Sequence, residues 1–242
     1  AIFAAWPIVY ATAFSGFYWA LLLVLFALFF RPVGFEYRSK IDDPRWRGAW
    51  DWGLTVGGAV PALVFGVAFG NLLVGVPFGF DEFMRSTYTG SFWALLNPFA
   101  LLTGVISLLM LAMHGGTYLQ MRTDGALHER ARKTSLYLAV VVAVAFAVAG
   151  FWVANLDGYV ISAINDVTKA VTPLQKEVML QSGGWLENYG RYPWMMSAPA
   201  MGFIGLLFTA LFSIANRGAL AFVSSSFALT GIICTAGFSL FP

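Results

Sequence analysis

Charge is what this sequence has least of. Only 11% of its 242 residues are Asp, Glu, Lys or Arg, against roughly 25% in soluble domains. A water-soluble fold so poor in charge could not cover its surface. A net charge of +2 is too small to point to nucleic acid. The single cysteine, Cys234, excludes an intrachain disulfide and a cysteine metal cluster. No Walker loop, HExxH or GxSxG pattern occurs. The sequence opens on Ala1 without the basic stretch of a signal peptide and stops on the apolar AGFSLFP. The expectation is an excerpt of a longer chain, cut at both ends.

What is there is apolar: 59% of residues, gathered into charge-free runs at 1–30, 52–80, 86–121, 134–156, 192–216 and 218–242. Each exceeds the roughly 20 residues needed to cross a hydrocarbon core. They are continuous rather than alternating, which favours helices over barrel strands. The fold class is therefore all-α: a polytopic transmembrane helix bundle in a single domain, with spans at about 10–30, 53–74, 97–119, 135–156, 194–215 and 219–240. Asn97-Pro98 supplies a cap and first turn for the third span. The aromatic and charged stretch before it, FDEFMRSTYTGSFWALL, is expected along the membrane interface.

Basic residues fall unevenly on the flanks. Arg31, Arg38, Lys40, Arg45, Arg47, Arg122, Arg130, Arg132, Lys133 and Arg217 lie on one side; Arg85, Lys169, Lys176 and Arg191 lie on the other. The positive-inside rule places the larger set in the cytoplasm. Residues 157–193 then form an extracytoplasmic loop, with a short helix expected around 173–181. Arg31-Pro32 marks the end of the first span, since proline has no amide donor and closes a helix.

Few residues could carry chemistry. The motif GVAFG, 66–70, sits in an apolar run, where small residues four apart let helices approach closely. His114 lies inside a span, where an ionisable group is a functional candidate. It could ligate a haem, or be a neutral histidine bonded to a neighbouring helix. His128 is expected to be solvated in a loop. The hydroxyls of Ser107, Thr209, Ser213, Ser224, Ser225, Ser226 and Thr230 suit helix–helix hydrogen bonds, or a water chain. Arg31 could anchor the helix by snorkelling to headgroups, or offer its guanidinium to the carboxylate or propionate of a bound group.

Four long strings carry a resemblance: FAAWPIVYATAFSGFYWALLLVLFALFFRPVGFEYRSK, WDWGLTVGGAVPALVFGVAFGNLLVGVPF, NPFALLTGVISLLMLAMHGGTYLQMRT and VANLDGYV. The chain resembles the central part of subunit II of the cytochrome bd ubiquinol oxidases. The resemblance implies an eight-helix subunit of two four-helix bundles, here missing its first and last helices. It implies a quinol:dioxygen oxidoreductase of the bacterial inner membrane that generates proton motive force. The cofactors implied are two haems b and one haem d, held mainly by subunit I, with a structural quinone in some members. Implied partners are subunit I and a small single-span subunit. Subunit II is then a scaffold, and part of the haem d environment and of the routes for protons or dioxygen. No catalytic residue is expected here. Arg31, in FRPVG, matches a position that the family keeps basic, whereas family members carry other residues at His114. A secondary transporter, favoured by breaks at Pro61 and Pro199, and a membrane scaffold without a redox partner are the alternative readings.

Overall fold

The structure, a computed structural model, describes Ala4 and residues 7–83, 85–164 and 176–240. Among these, six helices are long and apolar enough to cross a membrane. The chain forms two compact units, Ala1–Leu108 and Leu109–Pro242.

The first unit begins with α1 (Pro7–Gly16) and α2 (Tyr18–Tyr37). They are separated by Phe17, whose backbone leaves the helical region at φ −98° and ψ 16°. Bonds from Phe17 N to Ala13 O and from Leu21 N to Phe17 O, 2.9 and 2.8 Å, keep the two segments continuous. The expected end at Arg31-Pro32 is not observed. Pro32 lies inside α2, which continues to Tyr37. Proline removes one helical bond, but packing against α3 (Pro44–Val74) holds the last turns. A Cβ on Gly34 would lie 2.9 Å from Leu54, and one on Gly57 would lie 2.9 Å from the carbonyl oxygen of Ala27.

The connection from α2 to α3 is tightly tied. Asp43 caps α3 by accepting from Arg45 N at 2.8 Å, with Pro44 in the first turn. Arg38 forms a two-pronged pair with Asp51, at 2.5 and 3.0 Å. Trp46 donates its indole N–H to the Tyr37 carbonyl at 2.8 Å. After α3 come a short antiparallel pair, β1 (Phe78–Phe80) and β2 (Ser86–Tyr88), and a 3-10 turn over Phe92–Leu95. Then α4 (Pro98–Arg122) begins, capped as expected: Ala100 N donates to Asn97 Oδ1 at 2.8 Å. Gly66 and Gly70 of α3 face its start. A Cβ on Gly66 would meet the Thr103 carbonyl at 2.5 Å, and one on Gly70 would collide with Thr103 Oγ1 and Ala100. The GVAFG motif is thus a close helix contact.

The second unit holds the rest of α4, then α5 (Gly125–Val153), β3 (Asp157–Ile164), β4 (Lys176–Ser182), α6 (Glu187–Arg191), α7 (Ser197–Ile214) and α8 (Gly218–Ser239). The helix expected around 173–181 is replaced from 176 onward by strand; residues 173–175 lie outside the described residues. β3 and β4 pair antiparallel from Asp157↔Ser182 to Ile164↔Lys176. The pairing satisfies backbone groups that a short helix at the end of a loop would leave half-unpaired. Helices α7 and α8 run almost backbone to backbone. A Cβ on Gly205 would come within 2.5 Å of Ala228 N, and one on Gly231 would overlap Gly202. Ala221 and Ala228 are fully buried in α8. The outer helix faces expose large apolar side chains such as Phe26, Phe29, Phe151 and Leu207, as suits a lipid solvent.

Candidate functional site

In a charge-poor bundle the chemistry lies in its buried polar groups, and each unit contains such networks. In the first, Asn71 is 2% exposed. Its amide donates to Val67 O at 2.9 Å and to Leu95 O at 2.7 Å, and its Oδ1 accepts from Asn97 Nδ2 at 3.0 Å. One side chain thus ties α3 to the 3-10 turn and to the cap of α4. Beside it, Tyr88 N donates to Ser15 Oγ at 3.3 Å, bringing β2 onto the end of α1. There a pocket of about 540 Å³ opens between Tyr18, Trp19, Tyr88 and Phe92, with Ser15 and Thr87 on its wall.

Arg31 lies on α2 in this same unit. Its stem crosses the bare Cα of Gly57, where a Cβ would stand 2.8 Å from Arg31 Cγ. The residue is exposed, and among the described residues its guanidinium has no hydrogen bond or ion pair. Arg38 differs, being committed to Asp51, and that bond raises its pKa above the usual arginine value.

In the second unit His114 is half-buried on α4. Its Nδ1 lies 2.8 Å from Ser225 Oγ of α8, and its ring stacks on Phe222 with centroids 4.7 Å apart. Ser225 Oγ also donates to the Phe222 carbonyl at 2.8 Å. Thr117 completes the cluster, donating to His114 O at 2.8 Å and lying 3.0 Å from Ser225 Oγ. The arrangement bridges two helices through an imidazole.

His128 is not solvated as expected. Its Nδ1 lies 2.9 Å from Gln120 O and its Nε2 2.7 Å from Asn216 Oδ1. It therefore clasps the end of α4 to the turn between α7 and α8, where Asn216 adopts φ +55°. Arg132 extends the clasp by reaching the Ile214 carbonyl at 3.5 Å and Glu129 at 3.0 Å. Arg31 and His114 fall in different units, and each is described within its own. Among the described residues no group of three His, Cys, Asp or Glu could hold a metal ion.

The family model for cytochrome bd terminal oxidase subunit II matches residues 1–242. This chain belongs to that family. It is 56% identical over its whole length to the probable cytochrome oxidase subunit 2 of Haemophilus influenzae. It is 55% identical over 243 aligned positions to the cytochrome bd-I ubiquinol oxidase subunit 2 of Escherichia coli K12. The chain spans 64% of the length of each of these relatives. Its fold resembles the solved bd oxidase of Geobacillus thermodenitrificans, with TM-score 0.57 and 12% identity, covering 97% of this chain and 68% of that one. It is an all-α, multi-pass membrane protein.

Proposed function

We propose that the full-length protein is the non-haem-ligating subunit of a cytochrome bd-type quinol oxidase in a bacterial inner membrane. The enzyme would oxidise quinol and reduce dioxygen to water, building proton motive force. The observation that carries this reading is the family match along the entire chain. In this reading the chain is made of two incomplete four-helix-bundle halves, and its basic turns, including 38–47, face the cytoplasm.

Haems b and d supply the electron transfer and the dioxygen-reducing iron of such an enzyme, and subunit I would hold them. The imidazoles of this chain fit axial ligation poorly as a pair. His128 is engaged at both nitrogens, and His114 has its Nδ1 on Ser225. Nε2 of His114 makes no hydrogen bond among the described residues, so single-sided ligation is the competing role for that residue. Arg31 fits a different task. Its guanidinium, unpaired among the described residues and on a stem laid over Gly57, suits a propionate or another carboxylate of a group at the subunit border. The aromatic pocket of the first unit suits the flat ring of a structural quinone, with Ser15 and Thr87 beside it. A small single-span subunit would complete the assembly.

Deleting this subunit from a host that expresses subunit I tests the reading. Loss of the haem d absorbance and of quinol oxidase activity is expected. A membrane fraction that keeps both would overturn it.

A further inference from the structure

Four buried polar atoms of the second unit have no protein partner among the described residues: Trp185 Nε1, remote in sequence from the rest, and a group of three, Gln120 Nε2, Arg132 Nε and Ser135 Oγ. Gln120 is 2% exposed and Ser135 is fully buried. All three line one seam. Gln120 stands on α4 one turn beyond Gly116, and a Cβ on Gly116 would meet Ser135 Oγ at 2.5 Å. Arg132 and Ser135 are three residues apart on α5 and so share a face. Both Gln120 and Arg132 also reach the last turn of α7. Ser213 Oγ donates to Gln120 Oε1 at 3.2 Å, and Arg132 Nη1 donates to the adjacent Ile214 carbonyl. The seam is therefore where α4, α5 and α7 meet.

The chemistry of these atoms selects what could satisfy them. The amide and guanidinium nitrogens are donors only, and the serine hydroxyl can donate or accept. Such a set repels a cation. Glu129 already neutralises Arg132 at 3.0 Å, so an anion would gain little. A water molecule matches: it can accept from two nitrogens and donate to one hydroxyl. Buried donors of this kind are normally satisfied, and interior waters with about three partners are the common means. We propose that the seam between Gln120, Arg132 and Ser135 binds an internal water molecule that joins α4, α5 and α7. This goes beyond the oxidase reading and does not depend on it.

Two measurements on the full-length protein in its native membrane assembly test it. A map at about 2 Å resolution is expected to show a peak within about 3.2 Å of both Gln120 Nε2 and Ser135 Oγ. Side chains paired directly, with Ser135 turned onto the Ala131 carbonyl and no peak, would overturn the proposal. Ser135→Ala removes one oxygen and no carbon. If water bridges there, the thermal midpoint falls by about 2–4 °C. If the hydroxyl is a true orphan, its removal leaves the midpoint unchanged or raises it, and the bridge is refuted.

Discussion

The side-chain amide of Asn97 donates to Oδ1 of Asn71 at 3.0 Å, across 26 residues of sequence. The same Asn71 holds the Leu95 carbonyl at 2.7 Å. Asn71→Leu would leave that carbonyl and the Asn97 amide unpaired in a dry interior. The expected cost is about 2–3 kcal/mol. Thermal melting of the purified complex, followed by tryptophan fluorescence, checks it. An unchanged midpoint would mean that water reaches the site.

Gly205→Val and Gly231→Val should each separate α7 from α8. The added methyls meet backbone rather than flexible side chains, so no rotamer relieves the clash. A loss of about 3 kcal/mol or failure to assemble is expected, read as yield of intact complex on gel filtration. Gly237→Ala, where a Cβ meets nothing within 4 Å, is the matched control and should assemble normally.

Arg31→Gln and Arg38→Gln separate anchoring from ligand contact. Arg38 is already paired with Asp51, so its loss loosens a local turn. Arg31, unpaired within the described residues, should cost more haem on purification than Arg38 does. Haem per complex, measured by pyridine haemochrome, decides; equal retention in both variants returns Arg31 to a headgroup anchor.

His114→Gln can keep a hydrogen bond to Ser225 while removing the imidazole. A bridging role leaves the reduced-minus-oxidised spectrum unchanged and shifts the thermal midpoint only slightly. Loss of one haem band would instead assign His114 as a ligand through Nε2.

The Asp81 carboxylate accepts from the Arg85 and Phe83 amides, at 2.8 and 2.9 Å, and pairs with the Arg85 side chain at 2.6 Å. The Arg85 amide bond is the largest influence and, with the weaker Arg85 side-chain and Phe83 amide bonds, outweighs desolvation to hold its pKa below the usual aspartate value. A depressed carboxyl stabilises the turn above its unfolded pKa of about 3.9, and that support is lost as pH falls through the lower folded value. A spin label at Glu82→Cys, with Cys234→Ser, should report constant mobility from pH 8 to 5 and rising mobility below pH 4. The same label with Asp81→Asn should be mobile throughout.

Length and charge made the spanning helices legible, because lipid admits only helices or closed barrels and these runs are too long and continuous for barrel strands. Asn97-Pro98 marked a helix start because cap chemistry is local. Pro32 misled for the opposite reason. Its effect depends on what packs beside it: Gly34, just past it, sits against Leu54 and Trp50 of α3, and Gly57 of α3 sits against Ala27 and Arg31 just before it. The strand at 176–182 was hidden because its partner, 157–164, is not adjacent to it in sequence. Asn71 and Gln120 drew no notice among the apolar runs, and Arg132 read only as one of the basic flank residues. What makes them networks is contact between distant segments, which no periodicity encodes. His128 looked like a loop residue, and only the turn at Asn216 reveals it as a clasp.

Where α7 and α8 run backbone to backbone, the gap between the rods is narrower than a methyl group. The pair is a stiff two-rod beam, and bending it would require peeling the rods apart. Any motion passing through this half of the protein must therefore be taken up at the beam's ends, in the 215–217 turn gripped by His128 and the 193–196 turn before α7.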